Sequence, residues 1–320
     1  MISSHELARL CGVSQGTVDR ALHNRGRISA ATRARILAMA AQHGHLPNPT
    51  AQELMGHTSS DRVVALLADW HLRTPFFLDL LAETAAALRQ ADLALSIALA
   101  GRSTAELAAC ATETVARRAR ALILVLPPAD LDLPAPLVAA QPVLSFLLPC
   151  GIPGVHNLLP DEAAIGRTAT EHLLALGHRR ILHVHGRHRH WAVEARAAGY
   201  SAAMTAAGLP PVIVPVDDPA EAAEAVCAHG ATGLFTHNDP QALGAIRHLQ
   251  ARGLRVPQDC SVIGVDASPI IATIDPSLTS VRYPFAGLAA QVVPTLLGQV
   301  PPDLPAPTLQ RGTTTAPWVA

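Results

Sequence analysis

From residue 62 to about residue 265, short apolar runs alternate with stretches of helical period, and the alternation restarts once. Residues 63–68, 93–99, 121–126 and 143–147 read as strands, with helices predicted over 75–90 and 105–117. After residue 160 the same grammar returns. Helices are expected over 165–176, 194–207, 220–229 and 240–252, and strands over 180–184, 212–216, 234–236 and 262–265. Strands this short and apolar, separated by helices, build parallel sheets covered on both faces. Two such doubly wound units in succession make two lobes, with a ligand cleft at the C-terminal ends of the strands. A small molecule held there can draw the lobes together.

The first 60 residues follow a different rule. Ser3 and Glu6 have the spacing of a capping box, and Leu7, Ala8 and Cys11 recur at helical spacing. Gly12 can end that helix in a left-handed backbone, and Ser14 can cap a second helix whose buried stripe is Val18, Ala21 and Leu22. Gln15, Gly16, Thr17, Asp19, Arg20 and His23 are left on its outer face. A short helix that turns polar groups outward after a tight turn suits the major groove of DNA, although an ordinary helical hairpin has the same pattern. A third helix is expected over 30–43, capped by Ser29 and closed by Gly44. Residues 45–60 then read as a linker holding one short helix after Asn48 and Pro49, too short to persist alone in water.

Charge follows this division. The whole chain has a formal net charge of −1, yet residues 1–60 carry six Arg against three acids. The basic excess therefore sits where phosphate contacts would need it. All strong cations are Arg, as the chain has no Lys, which reads as compositional bias. Five scattered Cys without a CxxC pair predict reduced thiols in a cytoplasmic protein. The polar segment after Met1 is unlike a secretory leader, and no apolar run reaches membrane-spanning length.

Several motifs occur in one order. They are LARLCGVSQGTVDRALHNRGRISAATRARIL, a PN…A..L linker, EHLLALGHRRI, RAAGY, HNDPQALGAIRHLQARGLRVPQDCSVIGVD, SLTSVRYPFAGL and RGTTT. In this the chain resembles the lactose-repressor type of transcription regulator, the LacI/GalR family. The resemblance implies an N-terminal all-α helix-turn-helix headpiece over 1–46 and a hinge helix or linker over 47–60. An α/β core of two doubly wound lobes, like a periplasmic binding protein, would follow over 61–320. Lobe 1 would span about 61–160 plus 285–310, and lobe 2 about 161–284 plus 311–320. It further implies a homodimer or tetramer on a palindromic double-stranded operator. A carbohydrate effector between the lobes would control operator affinity.

Residue by residue, the resemblance places Ser14, Gln15, Gly16, Thr17, Arg20 and Asn24 at the DNA, and Leu54 as a minor-groove wedge. Asp19 and Gln52 depart from residues common in the family. In the core, Arg196, Asn238 and Asp266 match effector contacts, a set of donors and acceptors suited to hydroxyl groups. Phe76, Phe77 and Trp191 are candidates for stacking on a sugar face. Asp161 either touches ligand or caps the next helix. His183, His185, His188 and His190 lack a Cys or an HExxH partner and are not taken as a metal site. No metal or cofactor is expected. GxGxxG and GxxxxGK[ST] are both missing, so a catalytic role is not expected, and fold alone does not supply one. A solute-binding protein, or a sugar-metabolising enzyme with a fused DNA-binding domain, is the alternative reading.

Overall fold

The protein is described here by a computed structural model, which covers all residues except 1, 23–25, 27, 44–60, 102, 189, 270, 272–276 and 320. The chain divides into two compact units, residues 1–60 and 61–320.

In the first unit, three helices pack on one another: α1 (Ser4–Cys11), α2 (Gln15–Leu22) and α3 (Ala30–Gln42). Ser3 and Glu6 form the reciprocal capping box, with Ser3 N–H donating to Glu6 Oε2 at 2.8 Å and Glu6 N–H to Ser3 Oγ at 3.2 Å. Gly12 ends α1 at φ 63°, a left-handed conformation that costs glycine little. Ser14 Oγ then accepts from Thr17 N–H at 3.2 Å at the head of α2. Leu7, Val18 and Ile36 are fully buried in the centre, closed in by Ala8, Cys11, Ala21 and Ala40. The core is small because each helix contributes only one apolar stripe.

The second unit begins with β1 (Arg62–Ala68), a short 3₁₀ turn (Asp69–Arg73) and α4 (Pro75–Arg89). Then come β2 (Ala94–Ala100), α5 (Thr104–Ala116), β3 (Ala121–Val125), α6 (Ala135–Ala140), β4 (Val143–Phe146) and β5 (Val155–Leu158). These strands form a parallel sheet in the order β2-β1-β3-β4-β5. The other lobe holds α7 (Glu162–Ala175), β6 (Ile181–His185), α8 (Trp191–Ala206), β7 (Val212–Pro215), α9 (Pro219–His229) and β8 (Gly233–Thr236). It continues with α10 (Asp239–Ala251), β9 (Ser261–Asp266), β10 (Thr279–Arg282), α11 (Phe285–Leu296) and β11 (Thr308–Gln310). Its sheet runs β11-β10-β9-β8-β6-β7, parallel except for the β10–β11 pair. β3 and β9 are buried at every residue, as expected of strands covered on both faces.

The chain passes between the lobes three times: from β5 to α7, from β10 to α11, and from α11 back to β11. α11 packs on α4 and so belongs to the first lobe. The return comes at Thr308, slightly before the boundary at 311 expected from the sequence. Asp161, Pro284 and the segment Leu304 to Pro307 line one common depression, so the three crossings are gathered together. Serine and carboxylate also bridge the lobes, with Ser268 Oγ donating to Asp79 Oδ2 at 2.8 Å.

Candidate functional site

On α2, Gln15, Gly16, Asp19 and Arg20 are exposed and Thr17 is half-buried, while Val18 and Ala21 face the core. Arg20 is folded back along its own helix. Its Nε donates to Gly16 O at 3.0 Å and its Nη2 to Thr17 Oγ1 at 3.3 Å. Ser14 spends its hydroxyl on the helix cap. Asn24 and Leu54 lie outside the described residues.

A cavity of about 250 Å³ lies between the two sheets of the second unit. Its wall is built where strands end. Trp70 follows β1, Leu126 follows β3, Leu147 follows β4, His237 and Asn238 follow β8, and Asp266 ends β9. Leu126 (φ 49°), Leu147 (φ 73°) and Asp266 (φ 119°) all hold a left-handed backbone at this edge. Non-glycine residues adopt that region at a cost of order 1–3 kcal/mol, met here by the buried strands on either side. Phe76 and Tyr283 meet edge to face across the floor, with ring centroids 4.8 Å apart.

The polar centre of the cavity is Arg196. It is 3% exposed, and its partner Glu162 is 1% exposed. Glu162 Oε2 accepts from Arg196 Nε at 2.9 Å and also from Nη2, and Glu162 Oε1 accepts from Tyr283 Oη–H at 2.7 Å. Arg196 Nη1 donates to the carbonyl of His237 and approaches its Nδ1 at 3.3 Å. With Nδ1 accepting, the His237 proton resides on Nε2. Burial opposes the guanidinium charge, but Glu162, with Tyr283 and Asp266 nearby, more than offsets it and raises the Arg196 pKa. Burial, then the charge of Arg196, hold His237 and His190 below the usual imidazole range, His237 far below it. Asp266 is pushed well above the carboxylate range by burial and by Asp239 beside it. Asp239 itself is raised to about 7, by burial foremost, against a 2.6 Å hydrogen bond from Ser280 Oγ. Its Oδ2 has no partner among the described residues.

The structure brings Phe76, Phe77, Arg196, Asn238 and Asp266 together on this wall. Asn238 also caps α10, its Oδ1 accepting from Gln241 N–H at 2.9 Å. Asp161 is elsewhere. Its Oδ1 accepts from Ala164 N–H at 2.7 Å as the cap of α7, so the capping alternative is the one observed. Trp191 opens α8 but is not among the lining residues, whereas its neighbours His190 and Ala192 are. Glu162, His237 and Tyr283 line the cavity without having been singled out from the sequence. Among the described residues, no group of three or more His, Cys, Asp or Glu is placed to hold a metal ion. His183 instead stacks on Phe235 at 4.3 Å and is held neutral by burial, its pKa lowered to about 3.

Two family models match the chain: bacterial regulatory proteins of the lacI family over residues 5–48, and a periplasmic binding protein-like domain over residues 170–316. The Escherichia coli (strain K12) lactose operon repressor is 28% identical over 332 residues, covering 99% of this chain and 91% of that protein. A crystal structure of the lac repressor dimer bound to operator and the anti-inducer ONPF superposes with a TM-score of 0.85 at 26% identity, covering 98% of this chain and 99% of that one. The chain belongs to the LacI family of bacterial regulatory proteins. An uncharacterized HTH-type transcriptional regulator in the aml 5′ region of Streptomyces limosus is 36% identical over 151 residues, 44% of this chain and 43% of that protein. As in that family, three DNA-binding helices precede a two-lobed core, and this LacI-family chain is a DNA-binding transcriptional regulator. Among the described residues no helix is long and apolar enough to cross a membrane.

Proposed function

We propose that this regulator is a repressor that binds a palindromic operator as a homodimer and that a sugar-like effector, held between the lobes, sets its operator affinity. The observation that carries the effector reading is the cavity. Both lobes contribute to its wall, and a buried Arg, an Asn and an Asp converge on it beside aromatic rings. Hydroxyl groups need donors and acceptors together, and a sugar face stacks well on aromatic rings. The lac repressor, seen with operator and the anti-inducer ONPF, is likewise a protein that takes both DNA and a small molecule.

Gln15, Gly16, Thr17 and Arg20 are the proposed reading residues, with Ser14 positioning the helix. Asn24 and Leu54 complete that set by resemblance. A dimer is favoured by the outer edge of the first sheet. Ile97 and Leu99 on the edge strand β2 are 49% and 56% exposed, and Leu78 on the neighbouring α4 is 50% exposed. An apolar edge strand of this kind is a template for pairing unless something covers it.

An effector shifts operator affinity only by its differential affinity for two lobe arrangements, a coupling typically of about 1–3 kcal/mol, or roughly 5- to 150-fold. The relatives are regulators rather than enzymes, and we assign no catalytic step. The test is selection of bound sequences from random duplex DNA, followed by anisotropy titration of the selected site against a panel of sugars. A palindromic site whose affinity moves with one sugar is the expected result. A site with no two-fold symmetry, or an affinity indifferent to sugars, nucleosides and polyols alike, would overturn the reading.

A further inference from the structure

We propose that Glu162 makes the cleft selective for uncharged effectors, because it neutralises Arg196 and leaves no cation for an anionic ligand to meet. This rests on the cleft being the effector site and adds to it the class of ligand refused.

The pairing is built by the backbone. α7 and α8 cross at two glycines. A Cβ on Gly166 would strike the backbone carbonyl of Arg196, and a Cβ on Gly199 would strike that of Ala163. Only this close approach lets the first turn of α7 place Glu162 against a guanidinium on α8. Both side chains are nearly inaccessible, so solvent does little to screen the pair. All three guanidinium nitrogens are engaged from within the protein: Nε and Nη2 by Glu162, and Nη1 by His237.

The other ionisable groups that line the cleft supply no positive charge either. His237, in the turn after β8, and His190, ahead of α8, are held neutral. Tyr283, beyond β10, stays a hydroxyl donor because burial and then Glu162 push it well above its usual value. Asp266 and Asp239, at β9 and α10, are acids. Arg187, in the loop before α8, is paired outward with Glu221 at 2.9 Å and Asp217 at 3.4 Å. A phosphate or carboxylate entering this wall would shed its water and gain no counter-charge among the described lining residues. A hydroxylated neutral molecule meets donors and acceptors without that cost.

The experiment uses the full-length protein, its Glu162→Gln variant and the double variant Glu162→Gln/Arg196→Met, with Arg196→Met and Asn238→Ala as binding controls. Calorimetry on the unaltered protein compares lactose, sucrose and cellobiose with glucose 6-phosphate, glucuronate and inorganic phosphate. Thermal unfolding of all three proteins is then followed with phosphate at fixed ionic strength. The anions are expected to show no binding to the unaltered cleft. Phosphate should raise the melting temperature of Glu162→Gln, where it takes the place of the lost carboxylate, with affinity for it rising at least about tenfold. It should leave the double variant unmoved.

Tight binding of glucose 6-phosphate, glucuronate or phosphate to the unaltered protein, abolished by Arg196→Met, would sink the proposal. So would a folded Glu162→Gln that gains nothing from phosphate. Should Glu162→Gln not fold, Glu162→Asn carries the same comparison, and the calorimetry of the unaltered protein decides by itself. The underlying reading fails separately, if a neutral sugar binds with an affinity that Arg196→Met and Asn238→Ala both leave unchanged.

Discussion

The exposed face of α2 and the wall of the cleft are the two polar surfaces proposed to meet a ligand, and they are held in opposite ways. On α2, the hydrogen bonds that Arg20 makes among the described residues go to its own helix, and Gly16 has open space around it. In the cleft, Arg196 is clamped by groups from α7 and the turn after β8, none of them local in sequence. A reading face can be altered at little cost to the fold. A clamped wall cannot, because each polar group there is the partner of another buried one. The same protein can therefore change its target sequence more easily than the way it binds its effector.

Removing the clamp should have the largest effect. Arg196→Ala leaves Glu162 buried without its counter-charge, which costs about 3–5 kcal/mol of core stability. Arg20→Ala, on the exposed face, should change stability by less than about 0.5 kcal/mol while weakening operator binding. Urea unfolding of the two variants, followed by operator titration, compares them directly. Equal stability losses would break the contrast.

Acid gives the next effect. Burial lowers His71 to about 4 and His183 to about 3, so the unfolded chain takes up these protons before the folded one does. The stability these neutral imidazoles carry is present above about pH 6.5. It is lost as pH falls toward 4, at up to roughly 1.4 kcal/mol per pH unit for each group. Unfolding free energies of the core between pH 7 and 4 measure this, and His183→Phe should flatten the slope. The variant keeps an aromatic ring on Phe235 but gives up the 3.1 Å hydrogen bond between His183 Nδ1 and the Phe235 carbonyl, so the slope with pH, not the absolute stability, carries the test.

Asp239 acts with the opposite sign. Its pKa of about 7 lies above its unfolded value, so folding holds its proton, and stability falls as pH rises from about 4 to 7. Asp239→Asn should recover a few kcal/mol at pH 8 and nothing at pH 4. A gain equal at both would assign the effect to packing instead. The smallest change belongs to the reading face. Gly16→Ala meets no neighbour within 4 Å and should stabilise the headpiece by roughly 0.5–1 kcal/mol. Lower operator affinity in the same variant would show that the bare backbone at Gly16 is needed close to DNA.

What could be foreseen from the sequence follows the same divide. The headpiece was legible almost atom by atom, because Ser3, Glu6, Gly12, Ser14 and Ser29 act on neighbours within a few residues. The long strands and helices of the core up to residue 265 were legible too, each carrying its own apolar period, whereas β10 and α11 beyond it were not read from the sequence. α6, β5 and β11 were not, being at most six residues long, with two half-polar strands among them. The first turn of α8 was placed too late, because Trp191, Ala192 and Val193 show no start signal besides His190. Glu162 was hidden for a different reason. Its partner lies 34 residues away and reaches it only because two helices cross at Gly166 and Gly199. The Asp-Glu pair at 161–162 offered one signal, an acid beside a capping residue. It meant nothing until the crossing was known.

The three passages between the lobes have a mechanical consequence. One tether would let a lobe roll, twist or slide. Three tethers gathered at one side, with Pro160, Pro284, Pro305 and Pro307 stiffening them, leave a door on its hinge. Such a joint passes on a single number, the angle of opening. The Ser268–Asp79 bond then serves as the door's catch, and whatever enters the cleft can speak to the rest of the molecule only by turning that angle.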